Sequence, residues 1–488
     1  MKFYILFIST LFLLIGCQKQ SDNGKIKTLM GTNISQKKID EFIDNKIEEL
    51  NISGISIAII NNGEVVYHRV KGFSDKEKGI LVDDESIFEG ASISKSVFAF
   101  FVMTFVEDGL LDLDKPLYKY MPYPDIANDE RYKKITARMV LSHRSGFPNW
   151  RDDYEDKKLF IQFEPGTDYH YSGEGYQYLA KVIKHILNTN WAGLEEEFQK
   201  RVAIPFKMEH TKFIKDDYIR QHKVQPYDKN GNWVDKDLDA WWRSVDSVFV
   251  APTTIHSESI DFSKWMIAMM NEEGLAKTGF EQLFKTHSEV GNNGFLKDDY
   301  TLGFSKLSIL GLSNLYQHNG NNTGFSSYFT FDKNKKWGLV FFTNSKFGDP
   351  FTLAIIYDLL INGWSTEKQI AIGFALMLSL ILLIINLLLV FFKKSVISKV
   401  RNINLGISVL ACMGIISTLI TMIVTMIDTS IIYVIIGIIT TVTIGICIIS
   451  LKNAYNLWEN KGIVKFELVF QSILIFGIIT STIAICTL

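Results

Sequence analysis

Hydrophobic and polar residues divide this chain into three parts. A mostly apolar run at 3–15 follows Lys2, and a polar stretch at 18–24 comes directly after it. The long central part mixes charged and apolar residues, as a folded domain with a solvated surface does. The C-terminal end carries four uncharged runs of 21 to 23 residues, at 370–392, 405–427, 429–451 and 468–488. The pattern predicts a targeting segment, a central domain and a membrane-embedded C-terminal part.

The first part has the layout of a secretory signal peptide: one positive charge, a short apolar core and a small residue before the cleavage site. Its last four residues, Leu14-Ile15-Gly16-Cys17, also resemble the lipobox of bacterial lipoproteins, whose cysteine is diacylated and becomes the new N-terminus. Cys17 is the only cysteine before residue 400, which favours this interpretation over a plain signal peptide. We therefore expect a lipoprotein signal peptide, lipidation of Cys17 and a flexible tether after it.

Each of the four uncharged runs is long enough to cross a bilayer as a helix. Basic residues cluster between the first and second runs and between the third and fourth, at Lys393, Lys394, Lys399, Arg401, Lys452, Lys461 and Lys465. Because positively charged loops stay in the cytoplasm, the part at 18–366 is predicted to lie outside it, as a signal peptide also requires. No run contains an ionisable residue of the Asp, Glu, Lys, Arg or His type. We interpret the bundle as an anchor in contact with lipid, with lipid or peptide handling as the alternative.

Periodicity in the central part predicts helices and antiparallel strands. Apolar residues at helical spacing predict a helix over 35–50, and the apolar segment 97–106 predicts a buried one. β-Branched runs on both sides of the Asn-Gly pair at 62–63 predict a hairpin, and 325–342 holds a second one. A further helix is predicted at 353–362. Strands at both ends with helices between them predict an α+β fold whose terminal strands meet in one antiparallel sheet.

Composition narrows the classes of function. The chain has 488 residues, 47% of them hydrophobic and 21% charged, and the apolar end segments account for its mean hydropathy of +0.11. Its net charge is −2 and no tract is rich in lysine or arginine, so nucleic acid is not an expected partner. No cysteine lies between 18 and 411, which excludes disulfides and cysteine-bound metals there. Since metal-binding and phosphate-binding motifs are also missing, we predict neither a metal nor a cofactor.

A serine three residues before a lysine at a helix start can form a nucleophile and its base, because positions i and i+3 share one face. This pattern occurs three times, at 35–38, 92–95 and 365–368. The first begins a surface helix beside the tether, and the last abuts the membrane run. Only Ser92 begins an apolar helix that must be buried, where Lys95 is costly unless it has a purpose. Ser92 and Lys95 are therefore the predicted nucleophile and base.

Two further motifs of this chemistry stand in unsuitable places. Ser-Asp-Asn at 21–23 lies in the tether, before the nucleophile. Lys-Thr-Gly at 277–279 lies between two predicted helices, and Thr278 and Glu281 have the spacing of a capping box. We therefore interpret 277–279 as the start of a helix rather than as a strand that lines a site.

Five stretches of the central part match one known family in that family's order. They are Phe88-Glu89-Gly90-Ala91-Ser92-Ile93-Ser94-Lys95-Ser96; Asp112-Leu113-Asp114-Lys115-Pro116; Val140-Leu141-Ser142-His143-Arg144-Ser145-Gly146; Pro165-Gly166-Thr167 with Tyr171-Ser172-Gly173; and His318-Asn319-Gly320-Asn321-Asn322-Thr323-Gly324-Phe325. On these residues, the chain over roughly 51–350 resembles the serine β-lactamase-related family. That family includes class C β-lactamases, penicillin-binding DD-peptidases, D-amino-acid peptidases and family VIII-type esterases.

The resemblance implies catalytic roles for three side chains. Ser92 is the nucleophile that forms an acyl-enzyme. Lys95 and Tyr171 share the general-base role, in which the lysine ammonium favours the ionised tyrosine through its positive charge. The fold implied is an antiparallel sheet flanked by helices, with an all-helical subregion, as in β-lactamases and transpeptidases.

The same resemblance implies how the second wall of the site is built. His318 stands where other branches have the lysine of Lys-Thr-Gly, and it would hydrogen-bond the tyrosine or the carboxylate side of the substrate. The backbone N–H groups of Ser92 and Asn321 would form the oxyanion hole, and Gly320 would let the substrate approach the strand closely. His143 is interpreted as a structural hydrogen-bonding residue of its turn.

Departures from the family's pattern bear on the substrate. Tyr171-Ser172-Gly173 replaces the usual Tyr-x-Asn, so the amide that would bind an acylamino side chain is missing. This weakens the interpretation as a β-lactamase or strict peptidase and leaves room for an esterase or an unusual peptidase. The glycine pair expected within 248–254 is also missing, and the aromatic-rich stretch 217–248 is interpreted as a satellite core or a lid.

These observations together predict a membrane-anchored serine hydrolase of the bacterial cell envelope, with its catalytic domain outside the cytoplasm. The expected organisation is a signal peptide at 1–17, a tether and first helix at 18–50, the hydrolase domain at 51–366 and four transmembrane helices at 367–488. Peptide, amide or ester substrates are expected, such as cell-wall D-amino-acid peptides or small esters. The alternative is a non-catalytic binder or sensor of cell-wall fragments that is coupled to the membrane bundle.

Overall fold

The structure, a computed structural model, describes residues 25–29, 31–235, 247–292, 296–309 and 313–346. The predicted signal peptide with Cys17, the predicted helix at 353–362 and the four predicted membrane runs lie outside these ranges. Within the described ranges, no helix combines the length and the hydrophobicity that crossing a membrane requires. The chain divides into two compact units, Met1–Ser35 with Ile355–Leu488, and Gln36–Ala354.

The described part of the first unit is a small hairpin. Its strands β1 (Lys25–Lys27) and β2 (Asn33–Ser35) pair antiparallel, with Ile26 opposite Ile34. Both isoleucines are buried. The sequence interpretation left this segment in the tether region, because three-residue strands give too few positions for an alternating pattern.

The second unit is built on a nine-stranded antiparallel sheet in its described residues, with the strand order β5-β4-β3-β13-β12-β11-β10-β9-β8. These strands are β3 (Gly54–Asn61), β4 (Glu64–Asp75), β5 (Ile80–Leu81), β8 (Ser288–Asn292), β9 (Leu296–Tyr300), β10 (Ser305–Ile309), β11 (Ser313–Asn322), β12 (Phe325–Asp332) and β13 (Trp337–Thr343). A separate pair, β6 (Phe88–Glu89) and β7 (His256–Ser257), completes the strands described. The first long strand of the unit, β3, pairs with its last, β13, which confirms the predicted meeting of the terminal strands.

The helices pack around this sheet, and in the sequence they lie before and between its strands. They are α1 (Gln36–Glu49), α2 (Ser94–Glu107), α3 (Ala137–Leu141), α4 (Gly173–Ile186), α5 (Trp191–Phe198), α6 (Asp217–His222), α7 (Ser259–Asn271) and α8 (Lys277–Phe284). From α2 to α6 the described residues form helices and turns without a strand, so the expected all-helical subregion is present. The α+β fold class is confirmed.

Helices α1 and α7 cover opposite faces of the sheet at β3 and β4. Tyr67 and Arg69 on β4 hydrogen-bond to Asp40 and Asp44 of α1, at 2.7 Å each. On the neighbouring strand, the hydroxyl of Ser56 contacts that of Ser259 on α7 at 2.8 Å. Tyr67 and Arg69 lie opposite Ile59 and Ile57, whereas Ser56 points to the other face, because side chains alternate along a strand.

Both predicted hairpins are present, and their turns show why. Between β3 and β4, Asn62 and Gly63 have φ angles of +54° and +78°, as the two central residues of a type I′ turn require. Helix α2 contains the predicted buried segment 97–106, and every residue from Ser94 to Phe105 is buried. It ends before Gly109, whose φ is +71°.

The Lys-Thr-Gly motif lies where the sequence placed it, but its predicted cap is wrong. Lys277 is the first residue of α8, so the motif begins a helix and does not line a site. The residue before the helix is Ala276, and no side chain caps the helix there. Instead, the carboxylate of Glu107 on α2 accepts the N–H of Ala276 at 2.5 Å. A tertiary contact therefore satisfies the helix start, which a local pattern could not predict.

Candidate active site

Ser92 lies in a single 3-10 turn, Ala91–Ile93, that leads directly into α2. Ala91 is fully buried and has φ +47°, a left-handed conformation that a residue with a Cβ adopts only under constraint. Gly90 packs so tightly that a Cβ there would lie 2.6 Å from Cγ2 of Ile255. Ser92 itself keeps partial exposure. The turn therefore holds one accessible hydroxyl at the end of a buried helix.

Lys95 lies one helical turn beyond Ser92 and has no solvent-exposed surface. Its Nζ is 3.1 Å from Oγ of Ser92 and 3.1 Å from the carbonyl oxygen of Pro252. Burial holds the pKa of this amine well below its usual value. No carboxylate forms an ion pair with Lys95 in the residues that the structure describes, so the neutral amine is favoured.

Tyr171 reaches the same point from the segment before α4. Its ring centroid is 4.6 Å from Nζ of Lys95. Burial raises the pKa of Tyr171, and a hydrogen bond with the Ser92 hydroxyl partly offsets that rise. The two shifts together favour a neutral lysine beside a neutral tyrosine over the ammonium–phenolate pair that the resemblance implied.

Strand β11 forms the wall opposite these residues. Gln317 is its last residue paired with β10, so the positions that follow it face the turn of Ser92. A Cβ on Gly320 would lie 3.0 Å from the backbone nitrogen of Ser92 and would collide with the carbonyl oxygen of Gly90. Glycine at this position is therefore what allows the strand to approach the nucleophile. Asn321, the next residue, has an exposed side chain, and its Oδ1 accepts a hydrogen bond from Ser326 at 3.2 Å.

His318 belongs to the same strand and is only 4% exposed. Its Nδ1 is 2.6 Å from the carbonyl oxygen of Asn319, and its Nε2 is 3.2 Å from the hydroxyl of Tyr300. The ring centroid of His318 is 6.0 Å from that of Tyr171. The structure therefore brings His318 into the site but gives it Tyr300 on β9 as its hydrogen-bond partner, a residue that the sequence interpretation did not select.

The Tyr300 hydroxyl also binds a second buried histidine. Nε2 of His143 is 3.1 Å from that hydroxyl, and Nδ1 of His143 accepts the backbone N–H of Ser172 at 3.0 Å. The ring of His143 packs against that of Tyr171 in a tilted arrangement, with the ring centroids 4.3 Å apart. His143 thus acts structurally, as predicted, but it supports the tyrosine segment rather than only its own turn.

Both histidines are held in the neutral form. Burial and the nearby Lys95 lower the pKa of His318 to about 3. The same two causes, with further contributions from His318 and His170, hold the pKa of His143 well below its usual value.

The place of the missing amide is filled by an indole. Ser172 caps α4, because its hydroxyl accepts the N–H of Gly175 at 3.1 Å and donates to the carbonyl of Pro148 at 2.8 Å. A Cβ on Gly173 would lie 2.6 Å from Cζ2 of Trp150. Trp150 therefore occupies the space that any larger side chain at position 173 would need.

The remaining site predictions stay open. In the ranges that the structure describes, His, Cys, Asp and Glu form no group of three or more that could hold a metal ion. The predicted absence of a cofactor remains a prediction, and Cys17 lies outside the described residues. The arrangement around Ser92 offers a hydroxyl nucleophile, a buried amine, a phenol and a close strand edge, which are the parts that acyl transfer to serine needs.

Comparison with known proteins places this arrangement in a family. A family model described as Beta-lactamase matches residues 39–362. Protein flp of Staphylococcus aureus (strain MW2) is 22% identical over 334 residues, which cover 64% of each chain. The teichoic acid D-alanine hydrolase of S. aureus (strain MRSA252) is 22% identical over 230 residues, 44% of this chain and 55% of that protein. The chain thus spans less than two thirds of the length of these curated relatives.

Two solved structures share the fold. The octameric penicillin-binding protein homologue from Pyrococcus abyssi superposes with a TM-score of 0.57 at 23% identity, covering 68% of this chain and 78% of that one. The D-alanine carboxypeptidase AmpC from Burkholderia cenocepacia gives a TM-score of 0.54 at 18% identity, covering 66% of this chain and 97% of that one.

Proposed function

The chain belongs to the β-lactamase family, and on that basis we propose that it is a serine hydrolase that forms an acyl-enzyme at Ser92. The family match confirms the resemblance drawn from the five motifs. The observation that carries the proposal is the contact of the Ser92 hydroxyl with a fully buried lysine amine at 3.1 Å. A buried lysine without a carboxylate partner destabilises the fold, and a role as catalytic base explains why one is present here.

In the first half-reaction, Oγ of Ser92 attacks the carbonyl carbon of an ester or amide. The hydroxyl proton passes to the neutral amine of Lys95, whose remaining N–H groups donate to the carbonyl of Pro252. The protonated pair of Lys95 and Tyr171 then delivers a proton to the leaving oxygen or nitrogen as its bond to the carbonyl carbon breaks. The products are an acyl-Ser92 ester and a free alcohol or amine.

In the second half-reaction, a water molecule attacks the acyl-enzyme. The regenerated neutral Lys95 accepts a proton from that water, directly or through Tyr171. The bond between Oγ and the acyl carbon breaks, and Ser92 recovers its proton. The raised pKa of Tyr171 suits this role, because it keeps the phenol protonated and ready to donate.

The charge that develops on the carbonyl oxygen needs donors that are fixed in advance. We assign this role to the backbone N–H groups of Ser92 and Asn321. The support is the packing of Gly320, which leaves no room for a side chain between β11 and the nitrogen of Ser92.

The acyl group proposed is a D-amino-acyl or similar small acyl group. The support is that one relative is named teichoic acid D-alanine hydrolase and one structural neighbour is named D-alanine carboxypeptidase. The Trp150 indole over Gly173 gives this chain an apolar surface where the family's amide would stand. This favours esters and amides with a small acyl group over substrates that need an acylamino side chain to be recognised.

We also propose that the hydrolase is anchored in the bacterial plasma membrane and faces away from the cytoplasm. A lipoprotein signal peptide cleaved before a lipidated Cys17, a tether and first helix over 18–50, and four transmembrane helices within 367–488 would achieve this. The support is the lipobox-like sequence and the positions of the basic loops between the uncharged runs. The hydrolase domain of this proposal is 51–366.

The function is tested with the full-length protein and a substrate panel of nitrocefin, short-chain nitrophenyl esters and D-Ala-D-Ala peptides. Ser92→Ala is expected to abolish both turnover and labelling by a fluorophosphonate or β-lactam probe. Ser35→Ala, which alters another Ser-x-x-Lys motif, is the matched control and should keep both. If wild type shows no turnover and no acylation, the non-catalytic binder becomes the better account.

The anchoring proposal has its own test. Cys17→Ser should prevent incorporation of radiolabelled fatty acid into the protein expressed in a bacterium, whereas wild type should be labelled. A protease added outside intact cells stripped of their wall should cleave the domain at 51–366. Labelling of the Cys17→Ser protein, or full protection of the domain, would overturn the corresponding half of the proposal.

A further inference from the structure

His318 lies on the Tyr171 side of the site, and in the proposed mechanism Lys95 and Tyr171 protonate the leaving group. It stands two residues before Gly320, whose backbone approaches the nitrogen of Ser92. A leaving group that accepts its proton from Tyr171 would therefore lie near the His318 ring, whose centroid is 6.0 Å from that of Tyr171. The protonation state of that ring therefore affects which leaving groups are accepted.

The hydrogen bonds around Tyr300 define the tautomer of each histidine. The backbone N–H of Ser172 donates to Nδ1 of His143, so the proton of the neutral His143 ring is on Nε2. That Nε2–H donates to the Tyr300 oxygen. At the other ring, the carbonyl of Asn319 can only accept, so Nδ1 of His318 carries the proton.

The remaining hydrogen bond completes the series. Nε2 of neutral His318 has a free lone pair and accepts the Tyr300 O–H. The hydrogen bonds thus form one series that runs from the Ser172 amide through His143, Tyr300 and His318 to the Asn319 carbonyl, and every donor in it has an acceptor. This arrangement of donors and acceptors accommodates the neutral form of both rings.

A second proton on His318 would break the series. Nε2 would become a donor, and the Tyr300 oxygen, which already accepts from His143, would have to redirect its proton toward Tyr176. The hydroxyl of Tyr176 itself donates to the carbonyl of Leu141 at 2.9 Å. The new charge would also lie beside buried Lys95.

The groups that surround the two rings offer no compensation. They are Lys95 from α2, Tyr169, His170 and Tyr171 from the segment before α4, Tyr176 from α4 and Tyr300 from β9. Nowhere in the described ranges does a carboxylate form an ion pair or hydrogen bond with either ring. A protonated His318 would have no negative partner there.

We propose that this site selects acyl donors whose leaving group is uncharged, that is, esters or amides without a carboxylate next to the scissile bond. A carboxylate would lose its hydration and find a neutral imidazole whose one N–H already binds the Asn319 carbonyl. An alcohol or a neutral amide loses little on entering the same place. The inference rests on the proposed acyl transfer at Ser92 and narrows its substrate class.

The test compares two depsipeptides that differ only in charge: N-acetyl-D-alanyl-D-lactate and the same compound with its lactate carboxylate converted to an amide. With the full-length wild type, kcat/KM for the neutral compound is expected to exceed that for the anion by roughly tenfold to a hundredfold, the value of one hydrogen bond to a charged group. His318→Lys should reverse the preference, because it supplies a cation. His318→Gln, a neutral matched variant, should retain it.

The outcomes separate this inference from the proposed function. Turnover of both compounds with preference for the anion, or no reversal in His318→Lys, would overturn the inference and leave acyl transfer standing. No acyl-Ser92 adduct with either compound, by intact mass, would instead count against the function itself. If the lysine variant does not fold, the wild-type ratio alone still decides the inference.

Discussion

Removing one hydroxyl group should disturb two buried histidines at once. Tyr300→Phe keeps the aromatic ring but leaves Nε2 of His143 without an acceptor and Nε2 of His318 without a donor. Each unpaired buried polar group costs about 1–3 kcal/mol, so the variant should lose about 2–6 kcal/mol of unfolding free energy. For a domain of about 300 residues, in which 1 kcal/mol corresponds to about 1.5 °C, the fall in Tm should be roughly 3–9 °C.

The matched control is Tyr178→Phe. Tyr178 is also a buried tyrosine, but its hydroxyl makes a single bond to the carbonyl of Met121 at 3.0 Å. This variant should lose only about 1 kcal/mol. Thermal unfolding of the full-length protein, followed by tryptophan fluorescence, measures both. Equal losses in the two variants would refute the reasoning that Tyr300 satisfies two rings, and with it the tautomers assigned to them.

Three more predictions concern neighbouring positions. Gly320→Ala should lower kcat/KM for ester hydrolysis by at least about a hundredfold, because its Cβ would push β11 away from Ser92; unchanged kinetics would show that the strand does not supply the oxyanion donor. The pKa of His318 is about 3 in the folded protein and higher in the unfolded chain, so the unfolded state binds more protons between these values. The free energy of unfolding should therefore fall as the pH drops from about 6.5 toward 3, by up to about 1.4 kcal/mol per pH unit. In urea titrations at pH 7 and 5, His318→Gln should lose less stability than wild type, and equal losses would contradict the shift. Gly173→Ala should be destabilised by contact with Trp150, and Trp150→Ala should relieve that loss in the double variant; additive losses in calorimetry would argue against the contact.

Much of the fold was predictable where a short sequence pattern by itself determines both the local structure and how it packs. The Asn-Gly turn at 62–63 sets both the hairpin and its register, and the apolar segment of α2 is buried on all sides. The outer strands β8, β9 and β10 were not predicted. Their sequences are short and mixed in polarity, so they are strands chiefly because β11 offers an edge for pairing.

The candidate site divides in the same way. Ser92 and Lys95 are three residues apart on one helix, so a helical period alone places them together. Tyr300 has no such signal, because its contact with His318 depends on the order of strands β9, β10 and β11 in the sheet. From the sequence, each histidine could be paired with any of the buried tyrosines. Nothing in the sequence favours Tyr300 over the others as the partner of His318 or His143.

The pairing of β3 with β13 has a consequence for how the chain is made. Strand β3 pairs through Ile60 with β4, which follows it within a few residues of the chain. The other edge of β3 is covered only when β13 has been synthesised and Gly338 pairs with Ile60. At a synthesis rate of about 5–20 residues per second, the β3–β4 hairpin stays open on one side for tens of seconds. During that time it exposes an apolar strand edge that can bind any other extended chain. The core sheet of this protein can therefore close only after β13 has been synthesised, which makes its folding depend on a contact between distant parts of the chain.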